Sequence, residues 1–398
     1  MKIDDVILKR ISDSRGEPTI EVGIKAGGGE FFAQIPSGKS RGSREAAVLP
    51  PDEAKKALKN IEEKLVGKDF GNIKEFDGFL IVLDGTPNKA KLGGNLMLGL
   101  SLAFARALAG GNGLELWQTL RSEFFPRSAE SEPPRIFSNF IEGGVHAESN
   151  LDIQEFLVVA ESKGKVAETC RKLSGLYESV GQTLKERYGL PNLKLGDENG
   201  YSLDFKNNFE PIELLGGEIE KNGLAGEFSL GLDAAASSFY EGGYYVFERK
   251  KLTSSELEGV YSDYFRKAPL LRSIEDPFDE NDGTGFVKLS SGSGGGKLVI
   301  GDDLTVTDLE LIKAAAAGKM IGGVIIKPNQ IGTVSETCAA MTVAHENGLK
   351  CIVSHRSGET EDNFLIHFAK AAGAYGVKIG APAGERLSKF REFIRLFS

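Results

Sequence analysis

Charged side chains recur along the second half of the chain, each directly after a short and uninterrupted apolar run. They are Asp233, Glu275, Asp302, Lys327, His355 and Lys378. The intervals between them are 42, 27, 25, 28 and 23 residues, close to the length of a β-strand, a helix and two loops. Uninterrupted apolar runs are typical of parallel strands that are covered on both faces. The pattern predicts repeated strand–helix units whose strands end in charged residues.

Strand ends carry the chemistry in a β/α barrel, because the carboxyl ends of all its strands meet at one mouth. A lone acid after a strand is usually a helix cap or a solvated side chain. Asp233, Glu275 and Asp302 in one mouth would instead repel one another unless a cation lay between them. Carboxylates without a nearby cysteine or histidine cluster favour a hard metal ion that binds oxygen, and Mg²⁺ is the first candidate.

The two lysines and a distant acid are candidates for proton transfer. A lone lysine is usually a solvated surface charge, but Lys327 and Lys378 end strands beside the predicted metal. Nearby cations lower the pKa of a lysine toward the range that a general base needs. Glu198, in a polar turn, could supply the acid. Arg356 and Ser357 offer a guanidinium and a hydroxyl suited to phosphate.

Two further features carry less weight. His146 by itself is more often a satisfied core histidine than a catalyst. Residues 291–298 read SGSGGGKL and look like a phosphate-binding loop. A P-loop needs glycine at its first position and serine or threonine after the lysine, where this chain has Ser291 and Leu298. The segment is interpreted as a flexible loop before a strand.

The first third of the chain predicts a smaller α+β domain. A three-stranded β-meander is expected at residues 6–11, 19–26 and 31–35. Helices are expected at residues 52–68 and 92–109, and the second is apolar nearly all round, so it should be the centre of the domain. Proline, serine and glutamate at residues 126–134 predict a linker. The boundary is placed near residue 130, which gives an N-terminal capping domain, 1–130, and a barrel, 131–398.

The second domain opens less regularly than its later repeats. A strand is expected at residues 136–141. Residues 151–159 alternate more like an edge strand than a buried parallel one. Residues 166–184 form an amphipathic helical pattern, and Thr307 with Glu310 predicts a capping box.

Composition excludes several classes of function. The 398 residues carry a net charge of −9 with acids and bases interspersed, so no nucleic-acid partner is expected. The three cysteines are widely spaced and predict reduced, buried residues of a cytoplasmic protein. No signal-peptide apolar region opens the chain. Its most apolar segment, residues 92–109, is too short to span a bilayer, so no membrane partner is expected.

Ten short stretches, in order along both domains, carry a resemblance to a known family. They are SRGEPTIEV (14–22), PSG (36–38), DGTPNK (84–89), QEF (154–156), GDE (196–198), IEDP (274–277), GDDLTVT (301–307), NQIGT (329–333), VSHRSGETED (353–362) and KIGAP (378–382). No single tripeptide identifies a family, but the two long stretches at 301–307 and 353–362 together are nearly specific for one family. The chain resembles the enolases, the phosphopyruvate hydratases of glycolysis and gluconeogenesis.

The resemblance implies a fold, a reaction and a set of roles. The fold is an eight-stranded β/α barrel with irregular first strands and an N-terminal α+β capping domain. The reaction is the reversible dehydration of 2-phospho-D-glycerate through an enediolate, with two Mg²⁺ per site, the second arriving with substrate. The implied residues are Asp233, Glu275 and Asp302 on the first Mg²⁺, Ser40 on the second, Lys327 as base, Glu198 as acid, and His146, Gln154, Glu155, Arg356, Ser357, Lys327 and Lys378 on substrate. A cytoplasmic homodimer, or a higher even-numbered homo-oligomer, is expected.

Some positions depart from the family pattern. Lys39 and Arg41 flank Ser40 where the family more often has alanine and threonine, while Asn199 and Ile379 replace the usual glycine and threonine. None of these changes removes an implied catalytic group. Two rival interpretations stay open: a sister enzyme acting on another carboxylate substrate, and an inactive barrel that serves as a binding scaffold. A sister enzyme would need no phosphate-binding site. An inactive scaffold would be expected to lack at least one of the catalytic groups.

Overall fold

The capping domain is built on a small antiparallel sheet. The structure, a computed structural model, describes residues 1–39, 42–127, 132–292, 294 and 296–398. Three strands, β1 (Ile3–Ser12), β2 (Pro18–Ala26) and β3 (Gly29–Ile35), lie side by side in chain order, which confirms the predicted meander. Their helices are α1 (Pro51–Leu65), α2 (Ile73–Asp84), α3 (Gly94–Gly111) and α4 (Leu116–Phe124).

Helix α3 is the centre of this domain, as its apolar sequence predicts. Nearly all of its residues are buried, and it packs on β2 and β3. A Cβ at Gly99 would lie 2.4 Å from a Val22 methyl group, so glycine is required for this close approach of helix and sheet.

The other strands belong mainly to the second domain's barrel. They are β4 (Arg135–Glu142), β5 (Glu155–Ala160), β6 (Lys194–Leu195), β7 (Tyr201–Ser202), β8 (Phe228–Asp233), β9 (Tyr240–Glu241), β10 (Tyr244–Phe247), β11 (Lys250–Leu252), β12 (Leu271–Glu275), β13 (Leu298–Gly301), β14 (Gly323–Ile326), β15 (Lys350–Ser354) and β16 (Gly376–Lys378). Eight of them close in the order β4-β5-β8-β12-β13-β14-β15-β16, and β16 pairs with β4. Only β5 is antiparallel to both of its barrel neighbours. This is the predicted β/α barrel with irregular first strands.

Helices cover the outside of the barrel, except the four-residue helix Pro328–Ile331, which lies at the mouth, where Gln330 donates to Asp302. They are α5 (Val166–Tyr188), α6 (Glu210–Lys221), α7 (Ser254–Lys267), α8 (Gly283–Gly292), α9 (Leu309–Ala317), α10 (Pro328–Ile331), α11 (Val334–Glu346), α12 (Phe364–Ala372) and α13 (Leu387–Phe397). Helix α5 buries its predicted apolar face. Single 3₁₀ turns lie at Gly144–His146, Ala236–Phe239 and Gly384–Arg386. No helix in the described ranges combines the length and apolar character that crossing a bilayer requires.

Two local predictions are wrong. Strand β5 is not an edge strand: all six of its residues are buried, because it lies between β4 and β8 with one face in the barrel and the other under helices. Thr307 does not cap α9. Asp308 accepts the amide N–H groups of the first turn, while the Thr307 hydroxyl donates to Gln330 and accepts from the Lys327 amide.

The capping domain meets the barrel near its mouth. The backbone of Ser37 pairs with that of Gly358 in both directions, with N–O distances of 2.7 and 2.9 Å. Arg106 of α3 binds both carboxylate oxygens of Asp362. The boundary predicted near residue 130 lies outside the described residues and stays a prediction. Ser293 and Gly295 of the predicted glycine-rich loop also lie outside them.

Candidate active site

Three predicted acids lie together at the carboxyl ends of neighbouring strands. Asp233 and Glu275 are the last residues of β8 and β12 and pair across the two strands. Asp302 directly follows β13. Glu155 pairs with Asp233 from the other side, because β5 runs in the opposite direction and brings its first residue to the same mouth. All four side chains are buried.

Lys378, the last residue of β16, lies among these carboxylates. Its Nζ is 2.8 Å from Asp233 Oδ2, 2.8 Å from Glu155 Oε2 and 3.0 Å from both oxygens of Glu275. Burial, followed by the charge of Asp233, raises the pKa of Glu275 well above its usual value. One ammonium therefore does not balance the negative charge that the strands bring together.

Lys327 forms an ion pair with Asp302. Burial lowers the pKa of Lys327, but the carboxylates around it, Asp302 first and then Glu275, raise it, and the net pKa lies well above its usual value. Arg356 and Lys378 act in the direction that the sequence predicts, yet Asp302 outweighs them in this arrangement. A general base at Lys327 therefore needs another cation to take up the charge of Asp302.

Further carboxylates surround the same mouth, and the sequence did not single them out. Asp276 accepts the amide N–H groups of Asp302 (2.9 Å) and Asp303 (2.6 Å). Oxygens of Asp276, Asp302 and Asp303 lie within 4.8 Å of one another. Burial, followed by the charges of Asp303 and Asp302, raises the pKa of Asp276 well above its usual value.

The charge balance of the cavity fits a hard metal ion. Seven carboxylates line it among the described residues: Glu45, Glu155, Glu198, Asp233, Asp276, Asp302 and Asp303. In the part of the chain that the structure describes, three permanent cations line it, namely Lys327, Arg356 and Lys378. An all-oxygen donor set with uncompensated negative charge is what Mg²⁺ prefers. These residues could therefore hold Mg²⁺.

Glu198 lies on the turn before β7, at the same mouth. Its Oε2 accepts from Asn139 Nδ2 at 2.7 Å and lies 2.8 Å from His355 Nε2. Burial raises the pKa of Glu198, but His355 and then His146 outweigh burial, so the net pKa lies well below its usual value. Glu198 is thus a carboxylate at rest. The buried Glu142 side chain accepts the amide N–H of Glu198 at 3.2 Å and holds the turn.

His146 is not the satisfied core histidine that the simplest interpretation expects. Neither of its buried ring nitrogens makes a hydrogen bond among the described residues, although Nδ1 lies 3.4 Å from Glu155 Oε1 and 3.8 Å from Glu198 Oε1. The side-chain oxygen of Gln154 also lacks a hydrogen-bond partner among these residues. Burial lowers the pKa of His146, but Glu155 and Glu198 raise it, to about 9. Buried polar atoms without partners need an explanation, and here they line one cavity with the acids. A polar ligand in that cavity would supply the partners.

Arg356 and Ser357 lie where the capping domain covers the mouth. The Arg356 guanidinium binds both oxygens of Glu45, at 3.0 and 3.1 Å. Ser357 Oγ accepts the Lys39 amide N–H at 2.9 Å. A Cβ at Gly38 would lie 2.0 Å from an Arg356 nitrogen, so only glycine permits this contact.

The loop that carries the predicted second-metal ligand is described in part. Ser40 and Arg41 lie outside the described residues. Lys39 does not simply face solvent: its Nζ lies 3.1 Å from Asp197 Oδ2, directly beside Glu198.

Comparison with known proteins assigns the family. Residues 133–397 match the family model described as the enolase C-terminal TIM barrel domain, and residues 3–120 match that of the enolase N-terminal domain. The chain belongs to the enolase family. Its similarity to curated enolases extends over nearly the whole length of both proteins. The enolase of Methanocaldococcus jannaschii is 37% identical over 411 residues, covering 99% of this chain and 95% of the relative. The enolase of Aeropyrum pernix is 36% identical over 416 residues, covering 100% and 95%.

Proposed function

We propose that this chain of the enolase family reversibly dehydrates 2-phospho-D-glycerate to phosphoenolpyruvate in glycolysis and gluconeogenesis. Such an enzyme is a carbon–oxygen hydro-lyase. The observation that carries the proposal is the convergence of five residues at one mouth, where Lys378 contacts Asp233 and Glu275, and Lys327 pairs with Asp302. Removing the proton from C2 places a second negative charge beside the substrate carboxylate. A site rich in cations and cation ligands is what that enediolate requires.

Magnesium fits the donor set of this mouth. Asp233, Glu275 and Asp302 would hold a first Mg²⁺, and Ser40 would help to hold a second that arrives with substrate. Mg²⁺ held there would supply positive charge to the substrate carboxylate. Lys378 adds a further positive charge at the same place, and its contacts with Asp233 and Glu275 keep its ammonium there.

Lys327 and Glu198 have complementary roles in proton transfer. In dehydration Lys327 takes the C2 proton, and Glu198 then protonates the hydroxide that leaves C3. At rest Lys327 is an ammonium and Glu198 a carboxylate, because the pKa of the first is raised and that of the second lowered. These are the states that the reverse reaction needs, in which Lys327 gives a proton to C2 and Glu198 takes one from water.

The remaining residues would orient the substrate. Arg356 and Ser357 offer positive charge and a hydroxyl to the phosphate. Lys378 contacts the carboxylate, while His146, Gln154 and Glu155 contact the remaining polar groups. His146 and Gln154 support this assignment, because their unpaired polar atoms line the cavity. We propose a cytoplasmic, even-numbered homo-oligomer, whose partner in the site is a phosphorylated small molecule.

The absorbance of phosphoenolpyruvate tests the proposal. The wild-type protein is mixed with 2-phospho-D-glycerate, with and without Mg²⁺, and with a panel of sugar acids without phosphate. The enolase reaction requires an absorbance rise with 2-phospho-D-glycerate that depends on Mg²⁺ and is absent with the panel. Turnover of a sugar acid would favour the sister enzyme, and no turnover at all would favour the scaffold.

A further inference from the structure

Arg386 is a fully buried arginine that the proposed mechanism does not use. It lies at the start of α13 and has no exposed surface. Its guanidinium contacts two loops of the mouth at once. One nitrogen lies 2.7 Å from His355 Nδ1 and donates to the Arg356 carbonyl at 2.9 Å. The other donates to the carbonyls of Ser357 at 2.9 Å and Asp197 at 3.2 Å.

The contact with His355 restricts where the imidazole can carry its proton. A guanidinium has only donors and does not lose its charge in proteins. His355 Nδ1 must therefore accept, which leaves the ring proton on Nε2. The opposite tautomer and the imidazolium would each direct an N–H group at the Arg386 N–H at 2.7 Å. Burial and the charge of Arg386 also lower the pKa of His355, which keeps the ring neutral.

The other ring nitrogen faces the proposed acid. His355 Nε2 lies 2.8 Å from Glu198 Oε2, within ion-pair distance, although the contact does not have the geometry of a hydrogen bond in this structure. With its proton on Nε2, His355 presents a donor to a carboxylate. In the opposite tautomer it would present a lone pair, which only a protonated Glu198 could satisfy. The position of one proton on His355 thus selects between the two protonation states of Glu198 at rest.

We infer that Arg386 is a positioning residue that fixes His355 in the Nε2–H tautomer, so that the N–H group and not a lone pair lies beside the Glu198 carboxylate. The inference deepens the proposed function, on which the role of Glu198 rests. It assigns no contact between Arg386 and substrate. Arg386 acts through His355, and through the carbonyls of Asp197 and Ser357 that precede Glu198 and follow Arg356.

The surroundings of Arg386 are built for this contact. Gly380 adopts a φ of +75°, and a Cβ there would lie 3.0 Å from His355 Cε1, 3.1 Å from the Glu198 carbonyl and 3.2 Å from Arg386 Cδ. A side chain at position 380 would therefore press on all three residues. The Glu385 carboxylate lies 2.8 Å from Arg386 Nε and balances part of its charge.

The test reads the tautomer directly in the intact protein without substrate. The chain has four histidines, so ¹⁵N-histidine labelling gives a simple long-range ¹H–¹⁵N spectrum, and His355→Gln assigns the signals of His355. At pH 7.5 we expect an unprotonated Nδ1 and a protonated Nε2. A protonated Nδ1 at His355 would overturn the inference without any variant.

Arg386→Met then tests the cause. We expect the Nε2–H tautomer to lose its dominance and kcat to fall about tenfold to a hundredfold with a much smaller change in KM, because the acid and not substrate binding is disturbed. Arg106→Met is the control: it removes a partly buried arginine, the one paired with Asp362, and should leave the His355 spectrum unchanged. A pure Nε2–H tautomer in folded Arg386→Met would contradict the role of Arg386. If that variant does not fold, the wild-type spectrum decides.

The tautomer and the proposed function can fail separately. An Nε2–H signal in a protein that does not form phosphoenolpyruvate would leave the Arg386–His355 contact correct and the function wrong. Normal turnover with an Nδ1–H signal at His355 would leave the proposed function correct and the role of Arg386 wrong.

Discussion

The Lys378 ammonium lies 2.8 Å from Asp233 Oδ2, inside the set of carboxylates that we assign to the first metal. A permanent cation thus already occupies part of the field that Mg²⁺ needs. Because like charges in a buried site repel strongly, Lys378 must weaken Mg²⁺ binding in the absence of substrate. Its benefit comes only when the substrate carboxylate arrives. Lys378 therefore stabilises the negative charge of the enediolate but lowers the Mg²⁺ affinity of the free enzyme.

This relationship predicts that two substitutions at the site change Mg²⁺ affinity in opposite directions. Lys378→Met removes the charge but keeps the length of the side chain, so Mg²⁺ affinity without substrate should rise by about tenfold or more while turnover is lost. Asp302→Asn should instead weaken Mg²⁺ strongly. Isothermal titration measures both affinities. Lys350→Met is the control. It removes a lysine charge from the first residue of the neighbouring strand β15, at the opposite end of the barrel, and should leave Mg²⁺ affinity and turnover unchanged. Equal Mg²⁺ affinity in Lys378→Met and wild type would contradict the account.

Asn139 should matter through the proposed acid. Its amide donates to Glu198 Oε2 at 2.7 Å, and loss of a hydrogen bond to a buried charged group costs about 1.5–3 kcal/mol. Asn139→Leu should therefore raise the pKa of Glu198 and move the limb of the pH–kcat profile that reports this group to higher pH by about one unit or more, with little change in KM. Ser138→Ala removes a buried hydrogen bond to the Gly380 carbonyl from the adjacent position and is the control. A pH–kcat profile that shifts equally in the two variants, or in neither, would contradict the role of Asn139.

Asp77 should make the stability of the capping domain depend on pH. Burial raises its pKa from 3.8 to about 6, and its side chain accepts the Ser335 amide N–H from the barrel domain at 2.8 Å. A raised carboxyl pKa means that the folded state binds the proton more tightly, so this contribution is full below about pH 4 and is lost as pH rises through about 6.

The corresponding test compares urea unfolding of the wild type and Asp77→Asn at pH 4 and pH 7.5. The shift of about two pKa units corresponds to about 3 kcal/mol. The stability of the variant relative to wild type should therefore rise by about 2–3 kcal/mol between the two pH values. The exposed Asp52→Asn should show no such change. A constant difference for Asp77→Asn would contradict the prediction.

The positions of Asp233, Glu275 and Lys378 could be predicted because two simple rules act together. An apolar run marks a strand that is buried on both faces, and parallel strands bring their ends to one mouth. Strand β5 is an exception to the second rule, because it is antiparallel and brings its first residue, Glu155, to the mouth. The spacing of residues along the chain cannot reveal this reversal.

The residues that hold the acid could not be found in this way. Asn139 lies inside a buried strand, where the sequence shows only an interruption of an apolar run. Asp276 acts through backbone N–H groups of a neighbouring loop, a contact that no local pattern marks. Thr307 matched a capping box, but a left-handed φ of 57° turned it toward Gln330 and left Asp308 as the cap. Long-range contacts outweighed local propensity in each case.

The division of labour between Lys327 and Glu198 is tested most directly by exchange of the C2 proton of 2-phospho-D-glycerate in D₂O, followed by NMR in parallel with phosphoenolpyruvate formation. Lys327→Ala should abolish exchange and dehydration together. Glu198→Gln should still exchange C2 while forming no phosphoenolpyruvate, because proton removal precedes loss of hydroxide. Exchange at the wild-type rate in Lys327→Ala, or equal loss of exchange in both variants, would contradict the account.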